Sequence, residues 1–139
     1  MRILLTGISG FFGAAIAREL RARGHRVFGM RRRMQGAAPD DFFGDFFDRK
    51  TLAPIIRDLA PDAFIHAAWS GVPLSTRDYL SQYANVMASV ALADLALDAG
   101  AQTMIGIGTQ AEYGLPSAPV SEEAPTHPVT HYGNAKLAT

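Results

Sequence analysis

Three glycines at three-residue spacing, directly after an apolar run, constrain the fold of this chain more than any other feature. The run Arg2–Thr6 has the length and character of a buried strand, and Gly7, Gly10 and Gly13 follow it in the segment TGISGFFG. Glycine weakens a helix, yet a helical pattern begins at Phe11, inside this segment. The arrangement indicates either an ordinary strand-to-helix turn or a backbone that another group approaches too closely for a side chain.

Apolar runs alternate with helical patterns along the rest of the chain. A helix is predicted over Phe11–Arg23, with Phe12, Ile16 and Leu20 on one face and the arginines, Arg21 among them, turned outward. Further strands are predicted over residues 25–30, 41–44, 63–68 and 102–108, and further helices over 49–59, 79–99 and from about residue 130. Continuous apolar strands are typical of parallel sheets buried on both faces. The order predicts one α/β domain over residues 1–139, a doubly wound parallel sheet of the Rossmann type.

Composition removes several classes of function. The formal net charge is zero, so nothing in the electrostatics favours nucleic acid or a membrane surface as a partner. The chain has no cysteine, which excludes disulfides, thiolate metal sites and a cysteine nucleophile, and no metal site is predicted. No long apolar segment is visible at the N-terminus, so a soluble cytoplasmic protein is expected.

The glycine segment gains a function from its predicted place in the fold. In a doubly wound sheet the first strand-to-helix turn receives the pyrophosphate of a dinucleotide, because N–H groups at the helix start favour an anion. Gly7 permits the tight turn, Gly10 lets phosphate oxygens reach the backbone, and Gly13 lets the helix pack on the strand. The predicted cofactor contacts in this segment are Gly7, Ser9, Gly10, Phe11, Phe12 and Gly13.

Two motifs together resemble the extended short-chain dehydrogenases/reductases. With Thr6 before it and Phe11 inside it, the glycine segment is similar to the TGxxGFxG fingerprint of that family. The segment Tyr132-Gly133-Asn134-Ala135-Lys136 matches its Y-x-x-x-K motif. A tyrosine and a lysine four residues apart share one helix face, where the ammonium stabilises a phenolate and so helps the phenol exchange a proton. The resemblance implies that Tyr132 and Lys136 are catalytic and also contact the cofactor.

The same resemblance assigns two further polar residues to catalysis. The segment GTQAEYG, residues 108–114, is similar to the family's S/T-x-x-x-Y-G segment, whose first hydroxyl bonds the reacting oxygen, and Thr109 holds that position. Asn85 matches the helix asparagine that supports the proton relay of the lysine. A strand-end cap for Thr109 and a solvent-facing polar residue for Asn85 are the structural alternatives.

Further positions resemble nucleotide contacts of the family. The segment GDFFD is similar to the one after the third strand where an aspartate and the next backbone N–H meet the adenine, which implies Asp45 and Phe46. Ala67 and Ala68, at the predicted end of the fourth strand, leave room for the cofactor ribose.

The choice of dinucleotide is predicted from the end of the second strand. Enzymes that select NAD place a carboxylate there for the ribose 2′-OH, but in this chain the position falls at Arg31, followed by Arg32 and Arg33. A guanidinium pairs with a 2′-phosphate and cannot accept a bond from the 2′-OH. NADP is therefore the predicted cofactor, with NAD and a merely solvated basic loop as alternatives.

The resemblance covers the whole chain and implies an enzyme. The segments Ile105–Gly114 and 120–133 most resemble those of enzymes that modify nucleotide-activated sugars. Gln110 and Ala111 stand where a 4,6-dehydratase carries Asp-Glu, so epimerisation or reduction through a 4-keto sugar is favoured. Another small carbonyl substrate or a non-catalytic dinucleotide-sensing module are the alternatives. Family members continue into a substrate domain and commonly dimerise through long helices, so a truncated NAD(P)-binding domain and a homodimer are expected.

Overall fold

Five parallel strands and four α-helices make up the fold in the computed structural model, which describes residues 1–139. The strands are hydrogen-bonded in the order β3-β2-β1-β4-β5, and each neighbouring pair is parallel. This order confirms the predicted doubly wound sheet. The strands are β1 (Arg2–Thr6), β2 (Arg26–Arg31), β3 (Phe42–Phe43), β4 (Ala63–His66) and β5 (Thr103–Gly106). The helices are α1 (Phe11–Ala22), α2 (Arg49–Leu59), α3 (Gln82–Asp98) and α4 (His131–Leu137), and short 3-10 segments cover Leu74–Thr76 and Gln110–Tyr113.

The chain forms two compact units, which are described separately. The first unit comprises Met1–Ala68 and Ala88–Ile107 and holds the whole sheet. The second comprises Trp69–Met87 and Gly108–Thr139 and holds the loop after β4, the first turns of α3, and α4. The predicted dinucleotide contacts before residue 69 therefore belong to the first unit, and the predicted catalytic residues belong to the second.

Both faces of the inner strands β1, β2 and β4 are buried in the first unit, as continuous apolar strands predict. Successive side chains of a strand point to opposite faces, so Ile3 and Leu5 of β1 share one face and Leu4 lies on the other. The face of Ile3 packs with Ala17 of α1, and the face of Leu4 packs with Leu52 of α2 and with leucines and alanines of α3. Burying one such leucine contributes about 1.5–3 kcal/mol.

The predicted apolar face of α1 is confirmed at Ile16 and Leu20, which pack against the core, and is wrong at Phe12. Phe12 is 61% exposed, whereas Gly13 and Ala17 are buried. Because Gly13 lies directly on the backbone of the preceding turn, the helix presents that face to the sheet. Arg21 was expected to point outward, but it donates a hydrogen bond to Asp41 at 2.7 Å.

The element bounds differ from the predicted ones mainly where backbone pairing stops. The register between β4 and β5 ends at the pair His66 and Gly106, so both strands end two residues earlier than predicted. Helix α3 begins at Gln82 because residues 79–81 form hydrogen-bonded turns first. No helix in the structure has the length and apolarity needed to cross a membrane.

Candidate functional site

The turn after β1 contains two glycines that the protein's own backbone requires and one that it does not. Gly7 has a φ of +70°, and a Cβ there would lie 2.6 Å from the carbonyl carbon of Ala67. A Cβ on Gly13 would overlap the carbonyl oxygen of Gly7. A Cβ on Gly10 would meet that oxygen at 3.2 Å, which a small shift can relieve. Packing within the protein therefore requires glycine at positions 7 and 13. It does not require glycine at position 10, where the approach of a ligand to the backbone would.

The first turn of α1 offers backbone donors that no side chain caps. Gly10 is the N-cap residue and has no side-chain acceptor, and the first turn contains no acidic residue. Such N–H groups carry the positive end of the helix dipole and bind anions. Phe11 and Phe12 of this turn are 88% and 61% exposed, and their rings meet edge to face with centroids 5.2 Å apart. An anion at this turn would lie beside an exposed aromatic pair.

A buried hydrogen-bond network fixes the carboxyl ends of β1 and β4. The Oγ1 of Thr6 accepts from the backbone N–H groups of Ala67 and Ala68, each at 3.2 Å. The Thr6 proton is then left to donate to Nδ1 of His66 at 2.7 Å, so His66 carries its ring proton on Nε2 and donates to Ser89 Oγ at 2.8 Å. Thr6, itself bonded to His66, thereby holds the two alanines predicted to face the ribose.

The arginines at the end of β2 and directly after it line a cavity of about 660 Å³ in the first unit. The cavity wall brings Ser9 of the glycine turn together with the predicted phosphate ligands Arg31 and Arg32. The consecutive residues Arg31–Arg33 therefore line the same cavity as Ser9 of the turn after β1. The residues that line the cavity are Ser9, Arg31, Arg32, Arg33 and Gln35.

Arg31 is oriented by a buried carboxylate. Its Nε donates to Asp41 Oδ2 at 2.5 Å, and the Asp41 side chain has no exposed surface. Asp41 also accepts from Arg21 at 2.7 Å and from the N–H of Ala38 at 2.9 Å. Burial alone would raise the pKa of Asp41, but the hydrogen bonds from Ala38, Arg31 and Arg21 outweigh it and hold that pKa below its usual range.

Asp45 and Phe46, the two predicted adenine contacts after β3, have different surroundings. Asp45 Oδ1 accepts from the N–H of Phe47 at 3.1 Å, which closes a local turn. The Phe46 ring is buried in the core, 5.8 Å from the ring of His66. A contact of Phe46 with adenine would therefore use its backbone N–H, as predicted.

Thr109 caps the 3-10 segment Gln110–Tyr113 in the second unit. Its Oγ1 accepts from the N–H of Ala111 at 3.3 Å, and its own N–H donates to Glu112 Oε1 at 2.7 Å. The structural alternative, a cap, is therefore present. A hydroxyl that accepts one bond still has its O–H to donate, so the cap is compatible with the predicted contact to a reacting oxygen.

Helix α4 carries Tyr132 and Lys136 one turn apart on one face. Thr130 caps the helix, because its Oγ1 accepts from the N–H of Gly133 at 3.0 Å. Gly133 allows the helix to lie against the 3-10 segment, since a Cβ there would be 2.5 Å from the carbonyl oxygen of Ala111. The segment of Thr109 and the helix of Tyr132 are thus directly packed.

Aromatic and cationic side chains surround Tyr132, which is buried. The guanidinium carbon of Arg77 lies 4.9 Å from its ring centroid, and the indole of Trp69 meets the ring edge to face at 6.0 Å. Lys136 Nζ lies 4.4 Å from the centroid of the indole. Burial lowers the pKa of Lys136 below its usual range, and the negative charge of Glu112 opposes that shift.

Two buried amides at the start of α3 hold the loop that carries Trp69. Gln82 Oε1 accepts from the indole N–H at 2.8 Å, and its Nε2 donates to the carbonyl of Gly71 at 2.7 Å. Asn85 Oδ1 accepts from the N–H of Ser70 at 2.9 Å, and its Nδ2 donates to the carbonyl of Ser70 at 3.1 Å. The alternative of a solvent-facing Asn85 is therefore wrong, and its part in a proton relay stays a prediction.

Three residues that contact this cluster carry no sequence motif: Trp69, Arg77 and Gln82. Each of them contacts a residue that is distant in sequence or lies across a loop, so no periodic spacing in the sequence indicates the contact. The one available signal was that Trp69 is the single tryptophan of the chain and directly follows the predicted fourth strand.

Comparison with known proteins gives consistent matches over the whole chain. The model of the NAD dependent epimerase/dehydratase family matches residues 3–139. A UDP-glucose 4-epimerase of Azospirillum brasilense is 35% identical over 147 residues, which cover 99% of this chain and 42% of that protein. A dTDP-6-deoxy-L-talose 4-dehydrogenase (NAD(+)) of Aggregatibacter actinomycetemcomitans is 27% identical over 143 residues, which cover 98% of this chain and 52% of that protein.

A solved structure agrees with the fold described above. The UDP-glucose-4-epimerase of Stenotrophomonas maltophila, with bound NAD and formylated UDP-arabinopyranose, superposes with a TM-score of 0.82 at 29% identity. The match covers 99% of this chain and 46% of that structure. The chain therefore spans about half the length of the relatives it matches.

Proposed function

Because this chain belongs to the NAD dependent epimerase/dehydratase family, we propose that it supplies the dinucleotide-binding and proton-transfer residues of an enzyme that acts on a nucleotide-activated sugar. Residues 1–139 would form the NAD(P)-binding domain of that enzyme. The observation that carries the proposal is the face of α4, where buried Tyr132 lies one turn before half-buried Lys136. The names of two relatives, a UDP-glucose 4-epimerase and a dTDP-sugar 4-dehydrogenase, support a reaction at C4 of the sugar.

The first unit fits the pyrophosphate of a dinucleotide at the start of α1. The uncapped N–H groups of the first turn supply donors, and Gly10 leaves the backbone accessible. Ala67 and Ala68, tied down by Thr6, offer a flat backbone surface to a ribose. These features are those that a bound dinucleotide requires, and a nicotinamide dinucleotide supplies hydride transfer when bound.

The residues of the second unit handle the proton. Tyr132 gives or takes a proton at its phenol oxygen, and the Lys136 ammonium stabilises negative charge on that oxygen. Thr109 donates its O–H to the sugar oxygen that reacts. Tyr132 and Lys136 share one helix, and Thr109 lies in the segment packed against it, so the three roles use a contiguous part of the unit.

We favour epimerisation or reduction through a 4-keto sugar over 4,6-dehydration. Gln110 and Ala111 follow Thr109, so this chain lacks the carboxylate pair of a dehydratase at these positions. Reduction is the second candidate, because a relative is a 4-dehydrogenase and because Arg31–Arg33 favour NADP(H), the usual donor for net reduction. A small carbonyl substrate that is not a sugar, or a dinucleotide-sensing role without catalysis, is a weaker alternative. Assembly as a cytoplasmic homodimer stays a prediction.

The substitution Tyr132→Phe in the full-length protein tests the catalytic proposal. It removes the proton donor and keeps the ring, so conversion of UDP-glucose should fall about 10²- to 10⁴-fold while dinucleotide affinity changes less than about threefold. Unchanged turnover would refute the role of Tyr132. A wild-type protein that binds the dinucleotide tightly but converts no nucleotide sugar would support the sensing module instead.

Titration with NADPH and NADH tests the choice of dinucleotide. The cavity lined by Ser9 and the arginines should give NADPH an advantage of about ten- to a hundredfold, from charge-assisted pairing with a 2′-phosphate. Arg32→Gln should reduce that advantage and leave NADH affinity unchanged, because NADH has no 2′-phosphate. Equal affinities in the wild type, or tighter NADH, would refute both the phosphate site and the argument for reduction.

A further inference from the structure

Lys136 lies on an aromatic platform. Its Nζ is 4.4 Å from the centroid of the Trp69 indole, well inside the distance at which a cation interacts with a ring face. Tryptophan offers the strongest such face among the aromatic residues. The side chain of lysine has four flexible carbons, so its ammonium can occupy many positions. The contact with the indole face favours one of them.

The platform is itself held by the buried amide of Gln82. The indole N–H donates to Gln82 Oε1 at 2.8 Å, while the Nε2 of the same amide donates to the carbonyls of Gly71 at 2.7 Å and Thr76 at 3.0 Å. Two carbonyl partners require the NH₂ end of the amide, so the oxygen must face the indole. The orientation of Trp69 therefore follows from a network in which each polar end of Gln82 has a partner.

The same indole also contacts the reacting tyrosine. The Trp69 and Tyr132 rings meet edge to face, at a centroid distance of 6.0 Å and an interplanar angle of 89°. The backbone N–H of Tyr132 donates to the carbonyl of Arg77 at 2.8 Å, so the tyrosine is tied to the loop that carries Trp69. One side chain thus contacts both members of the Tyr-Lys pair.

We propose that Trp69 is a positioning residue, whose indole face holds the Lys136 ammonium in place beside Tyr132 and whose own orientation is set by Gln82. The proposal rests on the proposed function, in which Lys136 acts through Tyr132. Trp69 exchanges no proton; it limits where the lysine charge can lie.

The position of the ammonium can be measured without catalysis. Reductive methylation with ¹³C-formaldehyde labels the lysines of the full-length protein, and the spectrum of Lys136→Arg identifies the Lys136 signal by its loss. Because ring current shields groups over a ring face, the methyl protons on Lys136 should lie upfield of those on exposed Lys50. Trp69→Leu should remove the upfield shift, and Trp69→Phe should retain part of it. A Lys136 signal at the position of Lys50 in the wild type would overturn the proposal.

The kinetic consequence is a loss in kcat rather than in KM. Trp69→Leu should lower kcat about three- to thirtyfold, the range of a partly desolvated cation–π contact, with KM changed less than about twofold. Trp69→Phe should recover most of the loss, because it keeps an aromatic face. Leu74→Ala, at an exposed position of the same loop, is the matched control and should change neither kcat nor the spectrum.

Three results would contradict this role: an unchanged kcat in Trp69→Leu, an equal loss in Trp69→Phe and Trp69→Leu, or a change in KM alone. If Trp69→Leu fails to fold, the wild-type spectrum and the Trp69→Phe variant still test whether the indole positions Lys136. An inactive wild type with an upfield Lys136 signal would refute the proposed function and leave the positioning of the ammonium intact.

Discussion

Gly13 lies where the chain has no room for a side chain. A Cβ there would overlap the carbonyl oxygen of Gly7 and lie 2.6 Å from its carbonyl carbon, and neither atom can move without opening the turn. Gly13→Ala should therefore lower the free energy of unfolding by about 3 kcal/mol, as overpacking against backbone does. Urea denaturation of the variant and the wild type measures the difference.

Gly10→Ala is the matched comparison for that variant. Its Cβ would meet one atom at 3.2 Å, so stability should change by less than about 1 kcal/mol, whereas dinucleotide affinity should fall because the methyl group covers the backbone donors. An affinity equal to that of the wild type would show that no ligand approaches the backbone at Gly10.

Asp41 shows how one buried carboxylate links stability to the predicted phosphate site. It accepts from Arg21, Arg31 and Ala38 with its side chain fully buried. Asp41→Asn leaves two arginines without a negative partner and should cost about 3 kcal/mol at pH 7. It should also weaken NADPH binding, because Arg31 loses the bond that orients it.

The stability difference between wild type and Asp41→Asn should depend on pH in one direction. Since the folded protein holds the pKa of Asp41 below its usual range, the stabilisation is complete above the unfolded pKa of about 3.9 and disappears as the pH falls through the lower folded pKa. Urea denaturation should therefore give a larger difference in the free energy of unfolding at pH 7 than at pH 3. A gap of equal size at both values would mean that the charge of Asp41 is unimportant.

At the scale of elements, α4 depends on its cap more than the longer helices do. It has seven residues, too few for a helix to be stable by itself, and it carries Tyr132 and Lys136. Thr130→Ala removes the acceptor for the N–H of Gly133 and should destabilise the helix by about 1 kcal/mol. Amide exchange at Gly133 should accelerate and kcat should fall, whereas Thr130→Ser should behave as the wild type. Equal exchange in both variants would show that packing alone holds the helix.

The elements themselves were predictable where the signal is local. The predicted helix over 49–59 coincides with α2, and β1 coincides with the predicted first strand, because an apolar pattern and flanking caps lie within the element. On the predicted face of α1 only Phe12 was misplaced, since the approach of Gly13 to Gly7 depends on backbone geometry rather than on hydrophobicity.

Contacts between distant segments were not predictable by the same reasoning. Nothing in the neighbourhood of Arg21 indicates Asp41, and nothing near Lys136 indicates Trp69, because each pair forms only when the chain folds back. The motif residues of the candidate site came from resemblance to a family, whereas the side chains that orient them had to be found in the structure.

At the scale of the whole molecule, β5 ends the sheet with exposed apolar residues. It is the last strand in the order β3-β2-β1-β4-β5, and Met104 and Ile105 are 40% and 48% exposed. An apolar edge strand is a template for association. The 139-residue polypeptide should therefore associate as its concentration rises, and Ile105→Lys should reduce this in light scattering. Leu115→Lys, at an exposed loop position outside the sheet, should not; a similar effect of both would argue against the strand edge.

Because β1 lies between β2 and β4 in the sheet, its two neighbours are synthesised at different times. Ile3 pairs with Val27 on one side and with Ala63 on the other, so β1 is made shortly before one neighbour and 60 residues before the other. At about 5–20 residues per second, β1 waits roughly 3–12 s for that second neighbour to be synthesised. During this interval an apolar strand of the sheet has an open side, and a chaperone at the ribosome would meet it there before β4 does.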